Sequence, residues 1–225
     1  MSCVALVTPS DVPAADEWLS PVERATLAGL RFAGRRADWR MGRWAARCAV
    51  SAVLGPVPVE VRAAGDGAPE ALVAGRRAPV TISISHRAGL GACLATDARL
   101  AGCDLELVEP HPPALARDFF TASELALVDR AGPDRRDLAV ALIWSAKESA
   151  LKALRQGLRL DTRAVEVEVD WRRPDGDGWQ PLSVRYGTLR FGGWWRWPGH
   201  GHVLTVVTQP ASTAPRLRTR PAAAP

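Results

Sequence analysis

Three short apolar runs, Val80–Ser85, Leu90–Ala95 and Leu100–Val108, are separated by His86-Arg87-Ala88-Gly89 and by the turn residues Thr96-Asp97-Ala98 with Arg99. Runs of six to nine residues broken by tight turns are too short for core helices and predict an antiparallel meander of three strands. The pattern changes to helical on both sides of it. Trp18–Leu30 opens on Ser20-Pro21 with Glu23 close behind, a helix-start signal. Arg36–Leu54 repeats Trp39, Gly42, Ala46, Val50 and Val53 at helical spacing and carries Arg35 or Arg36, Arg40, Arg43 and Arg47 on its other face; Gly55-Pro56 ends it. Gly65–Pro69 reads as a turn. Pro110, Pro112 and Pro113 mark a boundary. Beyond it, Asp118–Arg130, with Thr121 and Glu124 as a capping box, and Leu138–Leu154 read as helices, and Val165–Val169, Leu182–Phe191 and Val203–Thr208 as strands. Helices followed by strands in each half predict an α+β fold of two similar lobes. The expected division is 1–108 and 109–208, with 209–225, rich in Pro, Ala and Arg and without apolar periodicity, as a disordered tail.

At 225 residues and 47% hydrophobic, the chain is long enough for one sizeable core or two small ones. No run approaches the roughly 20 apolar residues that span a bilayer. Met1–Thr8 lacks the basic and apolar regions of a signal peptide, so the expectation is a cytoplasmic protein without a membrane partner. Cys3, Cys48, Cys93 and Cys103 show no CxxC spacing and read as buried thiols. A net charge of +5 permits anionic partners without selecting one. Nucleic acid is disfavoured, because the arginines are interspersed with acids and no recognised binding motif is present.

Lysine usage is more informative. Of 29 basic residues only Lys147 and Lys152 are lysines, five apart in Trp144-Ser145-Ala146-Lys147-Glu148-Ser149-Ala150-Leu151-Lys152. A lysine kept where arginine is the habit points to chemistry that needs a compact ammonium. On this helix Trp144, Glu148 and Lys152 form one stripe. Read blandly, Glu148 and Lys152 are a helix ion pair worth about 0.2–0.5 kcal/mol.

Asp104 and Glu106 stand two apart in a strand, so both face one side while Cys103, Leu105 and Leu107 face the other. Carboxylates so close repel unless a cation or proton lies between them, and few hard oxygen ligands suit Mg²⁺ bound together with substrate phosphates. Taken alone, the pair reads more readily as a solvent-facing strand with two acids. Ser85-His86 closes the first strand of the meander; its members face opposite ways and no triad partner is evident. Near a bound pyrophosphate the His could donate to an anionic oxygen. Gly199-His200-Gly201-His202 reads as an exposed loop, and Trp194, Trp195 and Trp197 as packing residues.

In this order the blocks Ile82–His86 (ISISH), Gly102–Glu106 (GCDLE) and Trp144–Leu158 (WSAKESALKALRQGL) resemble the 4′-phosphopantetheinyl transferase superfamily, in its larger monomeric branch that activates peptide and polyketide synthetases. Cys103 replaces a branched residue, Arg87 a small one and Arg155 a glycine of the family pattern. The resemblance implies a pseudo-twofold pair of lobes with the active site between them. It also implies transfer of phosphopantetheine from coenzyme A to a serine of an apo acyl, peptidyl or aryl carrier protein, often in secondary metabolism. By matched position, Asp104, Glu106 and Glu148 would hold Mg²⁺, with Mn²⁺ an alternative. Glu148 would act as base directly or through water, and Lys152 would stabilise the leaving group. Arg35, Arg43, Ser85, His86, Lys147 and Lys152 would contact the coenzyme. The family's lysine beside a Gly-x-Pro turn is missing at Gly67-Ala68-Pro69, leaving Arg62, Arg76 or Arg77 to replace it. The competing reading is another Mg²⁺-dependent phosphotransferase or a pyrophosphatase. No P-loop pattern occurs.

Overall fold

The computed structural model describes residues 1–169, 178–199 and 201–219. The chain divides into two compact units, Met1–Asp97 together with the segment from Pro215, and Ala98–Ala214.

The first unit runs β1 (Ser2–Val7), α1 (Pro21–Ala28), α2 (Ala33–Leu54), β2 (Val59–Ala63), β3 (Pro69–Val73), β4 (Arg76–Arg77), β5 (Thr81–Arg87) and β6 (Leu90–Thr96). The second runs β7 (Leu100–Leu107), α3 (Pro113–Phe119), α4 (Ala122–Ala131), α5 (Arg136–Ala153), β8 (Val165–Val169), β9 (Gln180–Tyr186), β10 (Leu189–Gly199) and β11 (His202–Gln209). A last strand, β12 (Arg216–Arg218), belongs to the first unit. The sheets are ordered β12-β1-β6-β5 and β2-β3-β4 in the first unit and β7-β11-β10-β9-β8 in the second. The protein is α+β, as its helix and strand patterns imply. Among the described residues no helix is long and apolar enough to cross a membrane.

Each unit packs one long helix on its sheet. Met41, Ala45, Ala46, Ala49 and Val50 of α2 are buried with Ala5, Val7, Cys93 and Ala95 of the strands. Leu142, Ile143, Ala146 and Ala150 of α5 are buried with Val165, Val184, Val203 and Val207. Burial of apolar area of this kind, at about 25 cal/mol per Å², is the main favourable term in each unit.

The units repeat one structural device. The Ser20–Glu23 capping box starts α1 and the Thr121–Glu124 box starts α4. Both glutamates are buried, and each carboxylate does more than cap. Glu23 also accepts the Val61 N–H of β2 at 3.0 Å and pairs with Arg47 of α2 at 3.1 Å. Glu124 accepts the Val167 N–H of β8 at 2.8 Å and pairs with Lys147 of α5 at 2.8 Å. Trp44-Ala45-Ala46-Arg47 and Trp144-Ser145-Ala146-Lys147 thus make the same step of their helices. Where the second unit then continues with Glu148 and Lys152, the first has Cys48 and Ala52.

Several expectations are corrected. Only β5 and β6 form the local hairpin; the third strand of the expected meander, β7, pairs with β11 through Gly102↔Val207 and Asp104↔Thr205. The division therefore falls at Asp97/Ala98, not after residue 108, and Asp104 and Glu106 belong to the second unit. The expected helix 118–130 is two helices, because Phe120 is extended and Thr121 caps a new one. The 182–191 run is split by a turn at Gly187, which takes φ of 56°. In the expected tail, Arg216–Arg218 pairs in parallel with Cys3–Ala5 of β1. Strand β1 is buried along its length, so its outer backbone groups need partners, and a polar segment serves because the bonds are main-chain ones. Residues 220–225 of that expected tail lie outside the described residues. In the Gly-His-Gly-His run His202 is buried on β11, whereas His200 lies outside the described residues.

Candidate active site

Strand alternation sends Asp104 and Glu106 to one face of β7 and Cys103 and Leu105, both fully buried, to the other. Helix α5 lies directly against this strand, and Gly102 is the reason it can. A Cβ at Gly102 would come within 1.8 Å of the Ser149 carbonyl oxygen, a backbone atom that cannot swing aside.

The rotation of α5 about its axis is fixed from two sides. Ser145 and Ser149, both fully buried, meet the Thr205 hydroxyl of β11 at 2.9 and 2.7 Å. Nearly half a turn away, Lys147 pairs with Glu124 and donates to the Thr162 carbonyl at 2.8 Å and to the Val165 carbonyl. With Lys147 and Ser149 held inward, Glu148 and Lys152 follow on the stripe that meets β7.

Lys152 Nζ donates to Asp104 Oδ1 at 2.7 Å and to the Cys103 carbonyl at 3.2 Å. Burial weakens the ammonium, but the charges of Asp104 and then Glu148 outweigh it and hold the Lys152 pKa above the usual lysine value. Glu148 is pushed up, first by burial and next by the like charge of Asp104, with Lys152 offsetting part of the effect. Asp104, Glu148 and Lys152 therefore act electrostatically as one cluster. The carboxylate donors suit a hard divalent cation. Among the described residues no three Asp, Glu, His or Cys side chains converge as a ready metal cage, and the cation seated on Asp104 is the Lys152 ammonium.

The sequence-predicted coenzyme contacts separate into different places. In the first unit a cavity of about 640 Å³ is lined by Arg35, Asp38, Trp39, Gly42 and Arg43 of α2 and by Arg62, Gly67, Pro69, Ile84 and His86. The α2 residues fall at i, i+3, i+4, i+7 and i+8, one stripe of the helix. Arg43 stacks over the Trp39 ring at 4.1 Å. Its Nε is buried without a hydrogen-bond partner among the described residues. Burial lowers the Arg43 pKa, Glu23 opposing, yet a guanidinium stays charged at neutral pH. His86 Nδ1 lies 3.8 Å from the Asp38 carboxylate. Three arginines and a histidine against one aspartate make this an anion-selective cavity.

Ser85, on the opposite face of β5 from Ile84 and His86, is buried and does not line the cavity. Lys147, expected among the coenzyme contacts, is fully buried, and its bonds go to Glu124, Thr162 and Val165, the surroundings of a structural cation. Burial lowers its pKa, and Glu124 counters this. A signal for this was present, since Lys147 lies about 100° around the helix from Glu148 and falls off the Trp144–Glu148–Lys152 stripe. Of the three candidates for the missing lysine, Arg62 lines the cavity beside Gly67 and Pro69, while Arg77 pairs with Glu70 at 3.5 Å on exposed β4. Sequence reasoning missed Asp38, Thr205 and Thr162, and read Glu124 only as a cap, because their roles depend on partners remote in the chain.

Comparison with known proteins bears on the second unit most directly. The model of the 4′-phosphopantetheinyl transferase superfamily matches residues 101–206. The chain is 32% identical over 120 residues to the 4′-phosphopantetheinyl transferase AcpT of Salmonella typhi and to that of Salmonella typhimurium, covering 52% of this chain and 58% of each relative. It is 29% identical over 110 residues to a 4′-phosphopantetheinyl transferase of Bacillus subtilis, covering 46% of this chain and 47% of the relative. The chain thus spans between about half and three-fifths of the length of these relatives. The matched segment holds Asp104, Glu106, Glu148 and Lys152 together with the Gly102 and Thr205 that position them, and over residues 101–206 the chain is similar to the 4′-phosphopantetheinyl transferase superfamily.

Proposed function

We propose that this protein transfers the 4′-phosphopantetheine arm of coenzyme A to a serine of an apo carrier protein and releases 3′,5′-ADP. The observation that carries this reading is the coupling of Asp104, Glu148 and Lys152 on the packed α5–β7 pair of the matched segment. The larger, monomeric type of the family, acting in the cytoplasm on carriers of secondary metabolism, is part of the same proposal.

The transfer forms a bond from the serine oxygen to the β-phosphorus and breaks the phosphoanhydride to the departing 3′,5′-ADP. Asp104 and Glu148, with Glu106 beside them on β7, would hold Mg²⁺, or Mn²⁺ in its place. When bound, the ion neutralises pyrophosphate charge that would repel the incoming nucleophile. Glu148, its carboxyl made more basic by burial and Asp104, takes the serine proton directly or through water. The Lys152 ammonium, kept charged by its acidic neighbours, offsets charge growing on the leaving phosphate. In the first unit, Arg35, Arg43, Arg62 and His86 would bind the nucleotide phosphates of the coenzyme, and the buried, unpartnered Arg43 Nε supplies a donor for one of them.

The test is intact-mass analysis of an apo carrier protein incubated with the chain, coenzyme A and Mg²⁺. A gain of one phosphopantetheine, abolished by EDTA, is expected. Cleavage of coenzyme A without any gain on the carrier would overturn carrier transfer in favour of a pyrophosphatase.

A further inference from the structure

We propose that Lys152 is a built-in competitor for the divalent cation: its ammonium pairs with the Asp104 carboxylate that the ion would use, and the two exchange there. This rests on the reading of Asp104 and Glu148 as metal ligands given above.

The argument begins with the pair itself. Lys152 Nζ is 2.7 Å from Asp104 Oδ1, and the Cys103 carbonyl gives the ammonium a second acceptor at 3.2 Å. An ion such as Mg²⁺ binds carboxylate oxygen at about 2.0–2.1 Å and demands near-octahedral room around it. It cannot take Oδ1 while an ammonium lies on the same oxygen, because the two positive charges would stand within contact range in a largely buried place.

The two partners differ in freedom. The Asp104 side chain is 6% exposed and sits on a strand paired along its length. The Lys152 side chain is 30% exposed, in the last turn of α5, on a four-carbon stem. In an exchange it is therefore the lysine that moves, and its route lies toward solvent. One side chain then serves twice. It neutralises Asp104 and Glu148 when no ion holds them, and it becomes a phosphate ligand once displaced.

This also gives a reason for lysine in a chain that otherwise uses arginine. A guanidinium would bind the carboxylate through two parallel bonds and hold it more firmly. The ammonium binds through one point and can leave. Glu148, whose charge is coupled to both Asp104 and Lys152, is the other carboxylate the ion would use.

The experiment is titration of the 225-residue chain with Mn²⁺, followed by the electron paramagnetic resonance signal of the free ion, without coenzyme A. Wild type is compared with Lys152→Met, which keeps the stem and removes the charge, and with Lys152→Arg. Competition predicts that Lys152→Met binds Mn²⁺ about tenfold more tightly than wild type, and that Lys152→Arg binds no more tightly than wild type. Equal or weaker binding by a Lys152→Met protein with native circular dichroism overturns the proposal; Lys152→Gln carries the same prediction should the Met variant fail to fold. Glu148→Gln separates this failure from that of the metal reading. If that variant binds Mn²⁺ as well as wild type does, the carboxylates are not the ligands and both proposals fall. If it binds worse while Lys152→Met matches wild type, only the exchange is wrong.

Discussion

Gly102 of β7 lies so close beneath the Ser149 carbonyl of α5 that a methyl group there would come within 1.8 Å of the oxygen. The glycine of the Gly-Cys-Asp-Leu-Glu block is therefore a contact surface for the helix that carries Glu148 and Lys152. Gly102→Ala must lift α5 from β7, and so part Lys152 from Asp104. The expected result is a loss of about 3 kcal/mol in stability by urea unfolding, the upper part of the overpacking range, since a clash against backbone has no cheap relief. Transfer activity should fall at least a hundredfold in whatever folds.

Lys147 gives a second prediction, on stability rather than binding. Lys147→Met leaves Glu124 buried and uncompensated, at a cost of about 3–5 kcal/mol. Glu124→Gln combined with Lys147→Met should recover much of that loss, since a neutral pair has no stranded charge. Coenzyme A affinity of the folded double variant, measured by calorimetry, should match wild type. A large loss of affinity would return Lys147 to the coenzyme site.

Glu148 gives a pH dependence. Burial and Asp104 raise its pKa in the folded chain above the unfolded value of about 4.3. A raised folded pKa contributes stability that is full below the unfolded value and is lost as pH rises through the folded one. In EDTA, wild type should therefore lose stability relative to Glu148→Gln as pH rises from that value upward, by denaturant titration at each pH. In the proposed mechanism transfer needs the carboxylate form, so it should rise over the same interval, and Glu148→Gln should cost about 10²–10⁴ in rate.

The first-unit cavity separates arginines that look alike in sequence. Arg62→Ala should weaken coenzyme A binding about tenfold, the loss of one charge-assisted contact. Arg76→Ala, on the exposed short strand β4 outside the cavity, should leave it unchanged. Equal effects would mean that only the general positive field matters, and these would shrink at high salt.

Much of the site was legible before any tertiary structure. The alternation in Cys103-Asp104-Leu105-Glu106 is a strand property, and the Trp144–Glu148–Lys152 stripe is a helix property; both follow from local geometry. The capping boxes at Ser20 and Thr121 were readable for the same reason, although the independent helix at Thr121 was hidden behind a continuous polar-apolar pattern. What local pattern could not supply was any partner distant in the chain. Strand β7 looked like the third strand of a meander because its neighbour in sequence is β6, yet it pairs with β11, about a hundred residues on. Arg216–Arg218 looked disordered because backbone pairing with β1 leaves no mark on composition.

The two lysines divide the problem most clearly. The sequence by itself determined that both were exceptional and that Glu148 and Lys152 share a face, because rarity and a 3.6-residue period are properties of the string. It could not tell a ligand-facing ammonium from a buried one. Tertiary structure decided that Lys147 is enclosed by Glu124, Thr162 and Val165 while Lys152 reaches Asp104 at the rim of the packed pair. The physical reason is that a charge is assigned its role by what surrounds it, and those surroundings are assembled from segments that only folding brings together.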